Sequence, residues 1–381
     1  MDQVSSPNPV KPVTLAATLD EIRARRHEFE ALGHIPLDMV EKLQAIGCYR
    51  AFVPKELGGD ALSPAEFCVL IETLSQADAS TGWVASFGVS ATYLSALPPK
   101  TFRAIYAADP DSVFAGALFP PQPARRIDGG LSVSGRWKYC SGCMGASLIG
   151  AGVTLADGAE TALPRMAIMP RAAVRIEQTW KTTGLAGTGS HDIVAEDVHV
   201  PEDWTFVRGG PSRQDAPAFR YPAMALAAQV LAVVSLGAAR EALDHIRADA
   251  GRVSITGGPT TAARPWLQAD FARSEATLRA LRSVFYDTID EAWQCLLRGD
   301  SIDRDLHTRL RLVATQAAHG GADVARAAFY MGGTGAIAKG HILSRTMMDT
   351  AAVAQHAFMA EGTWTAAGAA LLNQPTMPGY P

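Results

Sequence analysis

Apolar residues change their spacing twice along the chain. From about Thr14 to Tyr106 they recur at helical intervals. "LAATLDEIRARRHEFEAL" sets them among charges. "PLDMVEKLQAIG" opens on Pro36, carries Asp38 in its first turn and stops at Gly47. "SPAEFCVLIETLSQADAS" opens on Ser63 with Glu66 three residues on, the pattern of a capping box. From about Asp111 to Thr205 the signal is extended. "SVFAGAL", "LSVSGRWKYC", "SLIGAGVTL", "RMAIMP", "AVRIEQT" and "DIVAEDVHVP" are short runs divided by Gly, Pro and Asp. The linkers "FPPQPARRIDGG" and "LADGAETALP" carry turn chemistry.

From about Ala216 the helical spacing returns in longer segments. Leu267, Phe271, Leu278, Leu281, Phe285 and Ile289 make one apolar stripe along a helix of about seven turns. "RLRLVATQAAHGGADVARAAFYMGG" and "ILSRTMMDTAAVAQHAFMAEG" predict two more helices, lengths that suit a four-helix bundle. The order predicts an α+β protein with segregated layers. A helical N-terminal domain spans 1–110, a small β-barrel or sandwich spans 111–212, and a helical bundle spans 213–381.

Composition narrows the classes of function. At 381 residues and 48% apolar content, the chain can bury a large core. A net charge of -4 gives no electrostatic reason to expect nucleic acid. No apolar run reads as reaching the roughly 18 residues of a membrane span, so no membrane is expected. The N-terminus lacks the order of a signal peptide, and 5 cysteines make no disulfide scaffold, so a reducing cytoplasm is expected. Neither a dinucleotide-binding G-x-G-x-x-G nor a P-loop is present. Cys140 and Cys143 form a lone C-x-x-C without the second pair that a zinc site needs, and read as small apolar residues. No metal is expected.

Three stretches, "AFVPKELGGDALSPAEFCVLIETLSQADASTGW", "GRWKYCSGC" and "WKTTGLAGTGSHDIVAEDVHVPED", together resemble the acyl-CoA dehydrogenase superfamily. The likeness covers nearly the whole chain. "SGC", "GTGSHD" and the late His356 look most like its two-component flavin monooxygenases, the p-hydroxyphenylacetate hydroxylase type. That resemblance implies reduced FMN or FAD delivered by a separate reductase, dioxygen as co-substrate, a C4a-hydroperoxyflavin, and hydroxylation of an aromatic or polycyclic small molecule. It also implies a homotetramer. An acyl-CoA dehydrogenase or oxidase, an N- or S-oxygenase of the same branch, and a binding protein that kept the fold are the alternatives.

The resemblance assigns roles residue by residue. Ser141 stands where a hydroxyl meets flavin N5; on the residues alone, it ends a strand and bonds backbone. Trp180 flanks the flavin ring or fills the β-domain core. Thr188 and Ser190 offer hydroxyls in a glycine-rich turn, and Ala117 and Phe119 lie in a loop similar to one that meets the flavin pyrimidine. Arg252 resembles an arginine that reaches a neighbouring subunit's cofactor phosphate. The resemblance puts the dehydrogenases' late-helix carboxylate base at His356 or Ala357, which argues against dehydrogenation, although some relatives carry the base on an earlier helix. It also places His356 on the flavin's reactive side, where it suits peroxide or substrate proton handling. Ser90 and Tyr93 are the polar candidates for substrate contact, while His191, His199 and His245 read as structural or surface residues.

Overall fold

The computed structural model describes residues 13–155, 164–253 and 258–376. Helix α1 (Leu15–Leu32) is closed by Gly33 in the left-handed conformation (φ 71°). Helix α2 spans Leu37–Ala45, with Pro36 as its N-cap. Ser63 and Glu66 form the reciprocal capping box that starts α3 (Pro64–Ala77). The Asp78 carboxylate then accepts from the Thr81 amide at 2.8 Å and caps α4 (Ala79–Ala85). After a 3₁₀ turn at Ser86–Val89 come α5 (Ser90–Leu94) and α6 (Pro99–Ala108).

Among the described residues the strands are β1 (Phe114–Ile127), β2 (Gly130–Cys140), β3 (Leu148–Leu155), β4 (Arg165–Pro170), β5 (Arg175–Glu177), β6 (His191–Pro201) and β7 (Thr205–Val207). They form one mixed sheet in the order β5-β6-β2-β1-β3-β4-β7, with β1 and β3 parallel. The stretch read as a turn linker at Phe119–Gly130 is mostly strand, and only Asp128–Gly129 turns. Pro120 and Pro121 fit because the register shifts between Ala117 and Gln122, so no ladder amide is required there. The second expected linker falls largely outside the described residues. Trp137, fully buried, centres the β-domain core and donates from Nε1 to the Gly152 carbonyl at 2.7 Å.

After α7 (Pro217–Arg220) come α8 (Ala223–Ala248), α9 (Pro265–Leu297), α10 (Arg304–Gly332), α11 (Ile342–Ala354) and α12 (Glu361–Leu371). Helices α8 to α11 pack as a four-helix bundle, and α8 also packs on α3. On α9, Leu267, Leu278, Phe285 and Ile289 are buried, and Phe271 and Leu281 pack on the core from its rim. One expectation is corrected here. Helix α8 is long and apolar enough to cross a membrane, but 83% of its most apolar window is buried, so its apolar surface is satisfied by protein.

Two charged ties fix the layers. Glu72 of α3, almost buried, accepts from Arg282 at 3.2 Å and from the Tyr286 hydroxyl at 2.7 Å, both on α9. Arg26 of α1 pairs with Glu241 of α8 at 3.0 Å.

Candidate active site

Ser141 follows the last residue of β2, in a turn allowed by Gly142 at φ 73°. The Gly142 amide donates to the Thr188 carbonyl at 2.9 Å, and the Cys143 thiol donates to the Gly189 carbonyl at 3.4 Å. Those bonds dock the turn on the Gly184–Ser190 loop. Gly184 and Gly189 are required by space: an added Cβ would lie 2.2 Å from the Met348 carbonyl oxygen and 2.8 Å from His34 Cβ respectively.

This docking joins three hydroxyls. Ser141 Oγ lies 2.6 Å from Ser190 Oγ, which lies 2.7 Å from Thr188 Oγ1. Thr188 Oγ1 donates to the Leu185 carbonyl at 2.9 Å. That last bond fixes the direction of the row, so each hydroxyl can pass its hydrogen toward Leu185. Leu185 itself sits at φ 50°, costly for a branched side chain. Four bonds hold it there, two of them from Thr188, whose amide also donates to the Leu185 carbonyl at 3.1 Å. Its carbonyl also accepts from Trp180 Nε1 at 3.0 Å, and its amide donates to Asp349 Oδ1 at 2.6 Å.

Asp349, on α11, is the residue that the sequence reading missed. It is a buried carboxyl beside a second one, Asp78. Burial, reinforced by Asp78, pushes its pKa up to about 7. Both line a cavity of about 480 Å³ behind the loop, with Arg26, Glu30, Thr183 and Arg345. Arg345 pairs with Glu30 and stands 3.9 Å from Asp78.

The β-domain also presents aromatic surface. Phe119 and Tyr139, on neighbouring strands, are 60% and 67% exposed. Tyr139 meets Trp180 edge-on at 6.1 Å between ring centres. Trp180 is therefore half-buried beside the hydroxyl row, and not a core residue. Ala117 is buried in β1 opposite Ala151, so its side chain belongs to the sheet core. His191 is buried and accepts the Trp180 amide on Nδ1 at 3.1 Å; burial holds its pKa down.

His356 differs from expectation in its setting. The helix ends before it, with Gln355 as C-cap, and His356 caps a 3₁₀ turn at Ala357–Met359. Its ring packs edge-on against Trp83 at 5.5 Å and Phe358 at 4.9 Å, a tertiary contact that outweighs the helix propensity of the alanines around it. Nδ1 accepts the Phe358 amide at 3.2 Å, so the neutral ring carries its proton on Nε2. Burial pulls its pKa down to about 4, so the ring is neutral at neutral pH. Trp83 and the next residue, Val84, link the two halves of the site: a Cβ on Gly142 would lie 3.4 Å from Val84 Cγ1 and 3.9 Å from Phe87 Cδ2.

The remaining candidates are dispersed. Ser90 bonds back to the Phe87 carbonyl and is buried. Tyr93 lies under the Arg208 guanidinium. Arg252 is bound to Asp249 at 2.6 Å and to the Gly332 carbonyl at 3.3 Å, and within one chain it does not join the hydroxyl row.

Residues 15–97 match the model of the acyl-CoA dehydrogenase N-terminal domain, and residues 229–361 match that of its C-terminal domain. The chain is 50% identical over 367 residues to an indole-3-acetate monooxygenase of Pseudomonas putida, covering 96% of this chain and 94% of that one. It is 30% identical over 297 residues to the oxygenase component of an FADH2-dependent resorcinol hydroxylase of Rhizobium sp., covering 73% and 72%. The crystal structure of a 3-HSA hydroxylase from Rhodococcus superposes with a TM-score of 0.88 at 26% identity, covering 95% and 96%. The chain belongs to the acyl-CoA dehydrogenase superfamily and, within it, to the flavin-dependent monooxygenases, as an oxygenase component.

Proposed function

We propose that the chain takes reduced FMN or FAD from a separate NAD(P)H:flavin reductase and hydroxylates a small aromatic compound, with indole-3-acetate as the first candidate. The residues present fit a flavin. A hydroxyl whose proton is directed along the row and whose lone pairs are left to accept stands beside exposed aromatic rings, and the buried Trp83 Nε1 has no partner among the described residues. Ser141, Thr188 and Ser190 would hold the ring's polar edge, and Phe119, Tyr139 and Trp180 its apolar faces. When bound, the reduced flavin supplies the two electrons that let one atom of dioxygen enter the substrate and the other leave as water.

The chain's own residues do the rest. The Ser141 hydroxyl is oriented through Ser190 and Thr188, so its lone pairs and proton are fixed before any ligand arrives. His356, neutral and protonated on Nε2, offers a hydrogen-bond donor without a net charge. Trp83, Val84 and Phe87 keep water out between them. The oriented hydroxyl row carries this reading. Arg252 reaching a neighbouring subunit's cofactor, a homotetramer and a cytoplasmic location complete it; the free thiols of all five cysteines support a reducing compartment.

Stopped-flow mixing of the protein with reduced FMN or FAD and oxygen tests the proposal. A transient flavin spectrum distinct from the oxidised and reduced forms is expected, followed by an indole-3-acetate product heavier by one oxygen atom. Direct return to oxidised flavin in the presence of substrate would overturn it. Light scattering after gel filtration checks the tetramer.

A further inference from the structure

Arg208 follows β7 directly, and only 6% of its surface is exposed. Several buried or half-buried arginines of the fold face carboxylates: Arg345 has Glu30 and Asp78, Arg240 has Glu275, and Arg50 has Asp111, while the equally buried Arg311 bonds the Phe358 carbonyl and the Thr363 hydroxyl. Arg208 has none among the described residues. Its charge meets only Tyr93, whose ring centre lies 3.8 Å from the guanidinium carbon and whose hydroxyl it also reaches. A cation–π contact repays part of the cost of burying a guanidinium, and a missing anion would repay much more. Burial without an acid accordingly pulls its pKa down.

The position gives that missing anion a place in the chemistry. Tyr93 lies three residues beyond Ser90 on α5, so the two share a helix face. Ser90 bonds to the Phe87 carbonyl, and Phe87 flanks the Gly142 turn next to Ser141. The segment after Arg208 is held to the end of the same helix by the Arg213 amide, which donates to the Ser95 carbonyl at 2.8 Å. A succession of neighbouring residues thus runs from the hydroxyl row, through Phe87 and Ser90, to Tyr93 and Arg208. It has an oriented hydroxyl at one end and, at the other, a planar cation with no carboxylate partner among the described residues.

We propose that Arg208, stacked on Tyr93, binds the carboxylate of an aromatic carboxylic acid and so selects arylacetate-type substrates for the site. This rests on the monooxygenase reading above. A guanidinium presents a fork of N–H donors that matches a carboxylate, and stacking on Tyr93 fixes the plane of that fork. The ring of the same substrate then lies along Phe87 toward Ser141, held by its own charged end.

The test compares three arylacetates (indole-3-acetate, phenylacetate and naphthaleneacetate) with their neutral amides in a reductase-coupled assay. In the wild-type protein, kcat/KM for at least one acid should exceed that of its amide by about ten- to a hundredfold, the worth of a buried charge-assisted contact. Arg208→Gln should remove that preference by raising KM for the acid. It should lower kcat/KM for the amide far less than for the acid and leave the transient flavin spectrum without substrate unchanged. Should Arg208→Gln fail to fold, Arg208→Lys, which keeps the charge without the fork, should lose part of the preference. Equal use of acids and amides by the wild type, or equal loss of both in the variants, overturns the assignment. Absence of the transient spectrum in the wild type would instead overturn the monooxygenase reading.

Discussion

Replacing Asp349 by Asn removes a buried charge while keeping an oxygen to accept the Leu185 amide. The wild-type carboxyl has its pKa pushed from 3.8 up to about 7, by burial first and by Asp78 second. The folded state therefore holds a proton that the unfolded state releases between about pH 4 and pH 7. Stability contributed at low pH is lost as pH rises through that window, and the loss levels off above it. At roughly 1.4 kcal/mol per pH unit, the ceiling is about 4 kcal/mol. Relaxation and water entry around the cavity reduce it, so about 2 kcal/mol is the working figure. His191, His307 and His356 have depressed pKa values and act in the opposite sense as pH falls, but they are common to both proteins. The difference between the two proteins isolates Asp349. Urea unfolding of wild type and Asp349→Asn should give equal midpoints near pH 3, with the variant more stable by about 2 kcal/mol at pH 8. Parallel curves across that range, or a variant less stable at pH 8, would refute the reasoning.

Other expectations follow from the same geometry. Ser141→Ala should break the hydroxyl row and raise the peroxide released per NADH consumed by threefold or more in a reductase-coupled assay, with little change in melting temperature. His356→Ala should slow product formation at least tenfold while reduced-flavin affinity stays within about twofold; the wild-type rate should not titrate through His356 between pH 6 and 8, since that ring is already neutral. Gly184→Ala places a carbon 2.2 Å from the Met348 carbonyl and should cost more than about 3 kcal/mol, read as loss of soluble protein or of cooperative unfolding.

What could be read from the chain divides along sequence distance. The capping box at Ser63 and Glu66 and the apolar stripe of α9 are local patterns, and they appear as expected. The hydroxyls of Thr188 and Ser190 are two residues apart, and the glycine-rich turn around them marked the place, so the row with Ser141 was within reach. Asp349 was not, because its partner Leu185 is 164 residues away and a lone acid in "TMMDTAAVA" resembles a solvated helix position. Arg208 was hidden the same way: only the fold puts it over Tyr93. An aromatic beside the serine in "KYCSG" was the one available signal for Tyr139. At His356 the alanines argued for helix, and a ring contact with Trp83, far earlier in the chain, decided otherwise.

The peptide at Leu185 answers to both halves of the molecule, its amide to the bundle and its carbonyl to the sheet domain. Chimeras that join the first half of one relative to the second half of another will inherit this peptide from one parent and its acidic partner from the other. Crossovers that separate the Gly184–Ser190 stretch from Asp349 should therefore survive only between parents whose loop and helix already agree, while exchanges that move both together should be freely interchangeable.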